Sequence, residues 1–240
     1  MNRLRDLRAF LGALNACGDL QTIDREVDWN LEVGAVIRRS YELRAAAPLF
    51  ANLPRSRPGS RILGAPGGLS SDPLHPLARV AISLGLQRES SGTDIVEAIA
   101  AALEKPGIPP VEVTGAPCKE NMLIGDGVDL ELLPVPLIHG GDGGRYLNTY
   151  GLNIVRTPDG RWTNWSINRM MLHDRNHLTG TFAVNQHLGM ILSQWRDRGE
   201  DMPIAIALGV EPALPFLAGG MPLPEEFSEA DFVGAYFGEP

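Results

Sequence analysis

Asn164, Ser166 and Asn168 alternate along the run Asn164-Trp165-Ser166-Ile167-Asn168-Arg169. In extended chain such residues share one face, and three small polar side chains do not describe a face packed into hydrocarbon. They line a polar pocket or face water, and the pattern alone favours water. Gln186-His187 stands where a strand signal gives way to an amphipathic helix marked by Ile191, Leu192 and Trp195. A helix N-terminus presents free N–H groups and a positive dipole end to phosphate, and neutral imidazole ligates transition metals. A lone histidine there is more often a hydrogen-bonded or capping residue. Ala218-Gly219-Gly220-Met221-Pro222-Leu223-Pro224 is a loop whose backbone can approach a ligand closely, as any tight connection also requires. Glu229 follows Ser228, a helix cap, and a carboxylate in a first helical turn also suits the dipole without further purpose.

Two kinds of element must position these groups. Through the first ~110 residues helix and strand patterns alternate. Leu4, Leu7, Phe10, Leu11 and Leu14 predict a helix ending before Gly18, and Leu20 to Val27 predicts a strand. A second helix is expected over 31–44, capped by Asn30. Short strands are expected at Leu49 to Leu53 and Arg61 to Gly64, then helices over 82–86 and 93–103, the latter capped by Thr93 or Asp94. The proline-rich stretch Glu104 to Pro117 marks a change of architecture. Beyond it, strands are expected at Asn121 to Ile124, Asn148 to Arg156, Arg161 to Asn168, Thr181 to Val184 and Ile204 to Leu208, with one helix from about Leu188 to Arg198. Thr157-Pro158-Asp159-Gly160 is a strong hairpin turn. The reading is α/β (α+β): a small N-terminal α/β unit over 1–110, then a split β-barrel domain over 118–240.

Composition narrows the function classes. The chain has 240 residues, 44% hydrophobic, enough for a substantial core. Its 29 acidic and 21 basic side chains give a formal charge of -8, unsuited to gripping nucleic acid or an anionic membrane by a global field. Any anion must be caught locally. Two cysteines, Cys17 and Cys118, are too few for a disulfide framework and read as reduced thiols. Neither a signal-type apolar run at the start nor a membrane-spanning stretch is evident, and a cytoplasmic location is expected.

The motifs taken together resemble the UbiD family of reversible decarboxylases that use prenylated FMN. The matching residues, in order, are Asn164-Trp165-Ser166-Ile167 with Arg169, Gln186-His187, Met221-Pro222 with Pro224, and Ser228-Glu229 followed by Phe232-Val233-Gly234. Asp19-Leu20 through Glu26-Val27-Asp28, Ala47-Pro48-Leu49-Phe50, Glu131-Leu132-Leu133-Pro134-Val135-Pro136 and Gly143-Gly144-Arg145-Tyr146 extend the likeness over nearly the whole chain. The resemblance implies a divalent metal, Mn²⁺ or Mg²⁺, on Asn164, His187 and Glu229, whose carboxamide, imidazole and carboxylate donors suit an octahedral ion. The ion would neutralise a cofactor phosphate in an acidic protein. It implies flavin contacts from Ser166, Ile167, Asn168, Arg169 and Gln186, with Thr149, Met221 and Pro222 beside them. A second site, for K⁺, would use Trp165, Ala218, Gly219 and Met221 together with Glu229. Arg169 would hold the substrate carboxylate, a task for which its planar fork of donors is suited.

The activity so implied is decarboxylation of an aromatic, heteroaromatic or α,β-unsaturated acid, with a flavin prenyltransferase supplying the cofactor and a homodimer or higher assembly in the intact enzyme. One departure matters. The family's acid glutamate and its C-terminal dimerisation domain lie on segments beyond the last metal ligand, and the sequence stops at Pro240. The expectation is therefore a domain incomplete at its C-terminal end. Glu239 is not promoted to the acid role. A non-catalytic cofactor-binding module or partner subunit is the competing reading. A split-barrel flavin reductase is weaker, because it needs no Asn/His/Glu metal set.

Overall fold

The computed structural model of the protein describes residues 2–221 and 223–240. Helix and sheet are mixed throughout. The first part opens with α1 (Leu7–Ala16), capped by the Asp6 side chain, and buries Phe10, Leu11 and Leu14. Strand β1 (Leu20–Ile23) runs parallel to β2 (Ala47–Phe50), and β2 pairs antiparallel with β3 (Ile62–Leu63). Helix α2 (Glu32–Leu43) makes the parallel crossover and packs its Val33 face beside Phe50 and Val27. Helices α3 (Ala78–Ser83) and α4 (Gly92–Leu103) follow.

The caps differ from the expected ones. Leu31, at φ 70, precedes α2 without a side-chain cap bond. Asn30 instead donates its own N–H to Asp28, and the Glu32 carboxylate accepts from Asp28 N–H. Ser91 caps α4 in a reciprocal box with Asp94, two positions before Thr93 and three before Asp94, the expected caps.

A buried ion pair ties these elements together. Arg79 on α3 donates from Nε to Asp19 Oδ2 at 2.6 Å and from Nη2 to Asp19 Oδ1 at 2.8 Å. Its remaining donors reach Ala45 O and Ala65 O. Ser71 adds its N–H and hydroxyl to Asp19 Oδ1. The start of β1, the α2–β2 turn, the loop after β3 and α3 therefore converge on one charge cluster, which tolerates burial because each guanidinium nitrogen has an acceptor.

Past residue 104 the chain is largely exposed and irregular up to Leu133, with three short 3₁₀ turns. The strand expected at Asn121 to Ile124 is absent: Met122, Leu123 and Ile124 stand exposed with no strand beside them to pair. A second sheet has β4 (Leu152–Arg156) at its centre, antiparallel to β5 (Thr163–Ser166) on one side and β8 (Ile204–Ala207) on the other. The hairpin turn is as expected: Gly160 has φ 76, and Thr157 N–H donates to Trp162 O. A small hairpin joins β6 (Met171–Leu172) to β7 (Leu178–Thr179). Thr181 to Val184 is not a strand but the approach to α5 (His187–Asp197), turned by Gln186 N–H donating to Ala183 O. Helices α6 (Leu214–Leu217) and α7 (Glu229–Phe237) complete the order.

The largest core cluster draws on both ends of the chain. Ala81, Leu84, Ile95 and Ala102 of the α3–α4 region pack with Leu217, Phe232, Val233 and Tyr236 of α6 and α7. The Tyr236 hydroxyl donates to Leu84 O at 3.0 Å, and burial pushes that phenol up to about 12. Helix α7 is thus fixed from behind by the N-terminal helices. Cys17 and Cys118 are free thiols, and no helix among the described residues is long and apolar enough to cross a membrane.

Burial alone would raise the Asp19 carboxyl, but the Arg79 bond and the two Ser71 donors outweigh it and hold the group below the usual carboxylate range. A folded value below the unfolded one adds stability that is complete above about pH 4 and lost as pH falls through the folded value. Arg79→Leu leaves Asp19 buried and uncompensated, and should cost about 3–5 kcal/mol in urea unfolding at neutral pH. The gap between parent and variant should narrow on acidification below about pH 4. A loss near zero at neutral pH would show that the cluster does not anchor this half.

Candidate site at the junction of the second sheet and the last helix

Strand β5 carries the first group. Asn164 is only 2% exposed, so the polar face that the alternation assigned to water is in part buried. The cause lies 65 residues on. Helix α7 begins at Glu229, also 2% exposed, and its carboxylate sits on β5. Asn164 Nδ2 donates to Glu229 Oε1 at 2.6 Å, and Trp165 N–H donates to Oε2 at 3.0 Å. Ser228 caps α7 by accepting from Asp231 N–H, which fixes the register of Glu229 in the first turn.

This pair has a gap in it. Asn164 Oδ1 is buried and has no hydrogen-bond partner among the described residues, a state that costs about 1–3 kcal/mol unless something satisfies it. Burial pushes the Glu229 carboxyl above its ordinary range, against the lowering pull of Trp165 N–H and the Asn164 amide. A buried carboxylate met only by neutral donors, beside an orphan amide oxygen, presents oxygen donors of the kind a hard cation takes.

His187 is the first residue of α5, and exposed Gln186 before it makes no side-chain cap bond. The helix is seated by Leu188 and Ile191 against Val155 and Trp162. The Trp162 ring stands edge-on to His187, with centroids 4.9 Å apart, and its Nε1 donates to Phe227 O at 3.2 Å, two residues before Glu229. Trp162 therefore links the start of α5 to the entrance of α7, across the strand that carries Asn164.

The loop before α7 meets the far end of β5. A side chain at Gly219 would run into Ile167, so glycine is what allows the loop this near. Trp165 and Met221 pack on the same core cluster, to which Ala218 belongs. Met221 O accepts from Leu223 N–H at 2.9 Å. Pro222 lies outside the described residues.

Beyond Ser166 the chain borders a polar cleft of about 520 Å³, lined by Tyr146, Ile167, Asn168, Arg169, Met171 and Thr179 among others. The Ser166 hydroxyl donates to Asn168 Oδ1. Arg169 is exposed into this space, its guanidinium 5.1 Å from the centre of the Tyr146 ring. Thr149 lies elsewhere, on a neighbouring apolar cavity of about 590 Å³ that shares Tyr146 with the cleft. The structure thus brings Asn164 and Glu229 into contact, sets Ile167, Asn168 and Arg169 on one cleft, and keeps Thr149 to the side.

Three contributors escaped the sequence reading. Asn148 and Asn153 are both fully buried and donate to Asn168 O at 3.3 and 2.8 Å, and Asn148 also donates to Asn153 Oδ1. They brace the peptide immediately before Arg169. Tyr146 supplies the ring beneath the guanidinium. The available signal was Asn153, a carboxamide set among Leu152, Ile154 and Val155 in the apolar part of β4.

Known proteins resemble the chain over both of its parts. Residues 110–240 match the model of the 3-octaprenyl-4-hydroxybenzoate carboxy-lyase Rift-related domain, and 11–99 match that of the corresponding N-terminal domain. The chain is 49% identical to a pyrrole-2-carboxylic acid decarboxylase of Pseudomonas aeruginosa and 42% identical to ferulic acid decarboxylase 1 of Saccharomyces cerevisiae, in each case over 100% of this chain and 48% of the relative. Among solved structures, the closed form of the vanillic acid decarboxylase of Sedimentibacter hydroxybenzoicus superposes with a TM-score of 0.87 at 26% identity, over 98% of this chain and 49% of that one. An evolved dimeric form of a UbiD-class enzyme from Pelotomaculum thermopropionicum, in complex with prFMN, gives 0.81 at 26% identity over 99% of this chain and 52% of that one. The chain spans about half the length of the curated relatives it matches. With one family model covering more than half of its residues and a second covering most of the remainder, this chain belongs to the UbiD family.

Proposed function

We propose that this chain forms the cofactor-holding half of a prenylated-FMN-dependent decarboxylase acting on an aromatic or heteroaromatic carboxylic acid. The observation that carries the reading is the buried Asn164–Glu229 pair, with its unpartnered amide oxygen, at the end of a strand that leads to the Arg169 cleft. The activities after which the relatives are named, pyrrole-2-carboxylic acid and ferulic acid decarboxylation, point to the same substrate class. The region from β4 to β8 is read as a split barrel, and the units are read as 1–110 and 118–240.

Asn164 Oδ1, the Glu229 carboxylate and His187 would hold Mn²⁺ or Mg²⁺ against the cofactor phosphate, with the N-terminus of α5 adding N–H groups and a positive dipole end. Backbone carbonyls of Trp165, Ala218, Gly219 and Met221, with Glu229, would take K⁺. Ser166, Ile167, Asn168 and Gln186, with Thr149, Met221 and Pro222, would border the flavin. When bound, the prenylated flavin supplies the electron sink for loss of CO₂. The chain's own contributions are positional. Arg169 offers paired N–H donors that fix a carboxylate at a set angle, and Asn148 and Asn153 hold the backbone from which Arg169 projects. The cofactor would come from a flavin prenyltransferase, and a homodimer or larger assembly is part of this reading.

A second reading is a non-catalytic cofactor-binding module or partner subunit. Assaying CO₂ release from pyrrole-2-carboxylate by the chain loaded with prenylated FMN separates the two. Turnover by this chain alone eliminates the module.

Two expectations follow from the site. In the presence of FMN the chain should bind Mn²⁺, seen as loss of the free-ion paramagnetic resonance signal, and His187→Ala or Glu229→Gln should weaken that binding by about tenfold or more. Equal binding by both variants would remove them as ligands. Arg169→Ala should keep the flavin spectrum yet lose at least about tenfold in carboxylate affinity, the worth of a charge-assisted bidentate contact. An unchanged carboxylate titration would take Arg169 out of substrate recognition.

A further inference from the structure

We propose that Tyr146 is a positioning residue for Arg169, holding the guanidinium over its ring so that the N–H donors stand ready for a carboxylate. The inference rests on the reading of Arg169 as the carboxylate holder and extends it to a residue outside the metal and flavin set. Among the described residues the Arg169 side chain makes no hydrogen bond and no ion pair, and its one recorded partner is the Tyr146 ring, 5.1 Å from the guanidinium carbon. Attraction through a ring face consumes no N–H donor, so all five remain for an incoming anion.

Both ends of the pair are fixed by the backbone. Leu147 N–H donates to Met170 O at 2.7 Å and Leu172 N–H donates to Arg145 O at 2.8 Å, which places Tyr146 opposite Met171 in an antiparallel bridge. On the other side, Asn168 O accepts from Asn148 and Asn153. Only the side-chain torsions of Arg169 and Tyr146 remain to be set. A long cation free in solvent loses rotamer freedom when it grips an anion, and a head already resting on a ring has less to lose. Tyr146 also stands where the polar cleft meets the apolar cavity, so an aromatic acid held at Arg169 would lie beside it.

The test follows the Arg169 Nε–H resonance in ¹⁵N-arginine-labelled chain, titrated with benzoate and, as an uncharged control, benzamide. The expected result is a ring-current displacement of that resonance that persists in Tyr146→Phe and Tyr146→Trp and vanishes in Tyr146→Leu. Benzoate affinity read at the same resonance should fall roughly two- to fivefold in Tyr146→Leu and stay within about twofold in Tyr146→Phe. A resonance that does not move in Tyr146→Leu, or equal benzoate affinity across the series, overturns the positioning role. If the parent resonance ignores benzoate while the displacement still vanishes in Tyr146→Leu, the carboxylate reading of Arg169 fails instead, and the stacking contact is left as structure only.

Discussion

The Glu229 carboxylate, held between the Asn164 amide and Trp165 N–H, is the contact on which the site depends. It joins the first turn of α7 to β5. Helix α7 is gripped from behind by α4 and by the Tyr236–Leu84 bond, and β5 is laddered to β4. A carboxylate is an expensive way to make such a joint, since taking the charge out of water is repaid only by good partners. Here the partners are neutral, and Asn164 Oδ1 is left over. A purely structural joint would be better served by a hydroxyl or an apolar contact. The arrangement makes sense if the charge and the spare oxygen are reserved for something positive.

Much of this was legible as motif and little of it as pattern. The order of the motifs at Asn164, His187, Met221-Pro222 and Glu229 carried the resemblance, and the structure brings Asn164 and Glu229 into contact and sets Trp162 against both His187 and Phe227. The burial of Asn164 was not legible. Alternation reports which residues share a face, and the cover over that face comes from a helix 65 residues away. For the same reason the strands expected at Asn121 to Ile124 and Thr181 to Val184 failed: β-branched and apolar residues make a strand only where another strand offers unpaired backbone. The caps of α2 and α4 shifted because Asp28, Glu32 and Ser91 supplied local hydrogen bonds that outcompeted Asn30 and Thr93.

Asn148 and Asn153 show where residue-type reasoning stops. A buried carboxamide in a strand reads as a defect until its partner is known, and the partner here is a main-chain oxygen at Asn168. Two amides converging on one carbonyl stiffen a segment that has already left the sheet, since β5 ends at Ser166. The site therefore has two differently built ends. At Asn164 the ladder and α7 set the geometry, while at Arg169 buried side-chain amides do the same work for irregular chain.

Electrostatics gives the two ends a common logic. At a formal charge of -8 the chain repels anions at long range, so on the proposed function a flavin phosphate and a substrate carboxylate would each be met by a local positive group. Several arginines are unavailable: Arg79 is spent on Asp19, Arg3 on Glu211 and Glu239, and Arg38 and Arg39 on Glu42. Among the described residues Arg169 is bound by no carboxylate and rests on an aromatic face, so no carboxylate there cancels its charge in the cleft. At the other end there is no such arginine among the contacts of Asn164 and Glu229, only oxygen donors and the N-terminus of a helix. On the proposed function, a phosphate there would need a cation, and the unpartnered oxygen of Asn164 is one donor it could use.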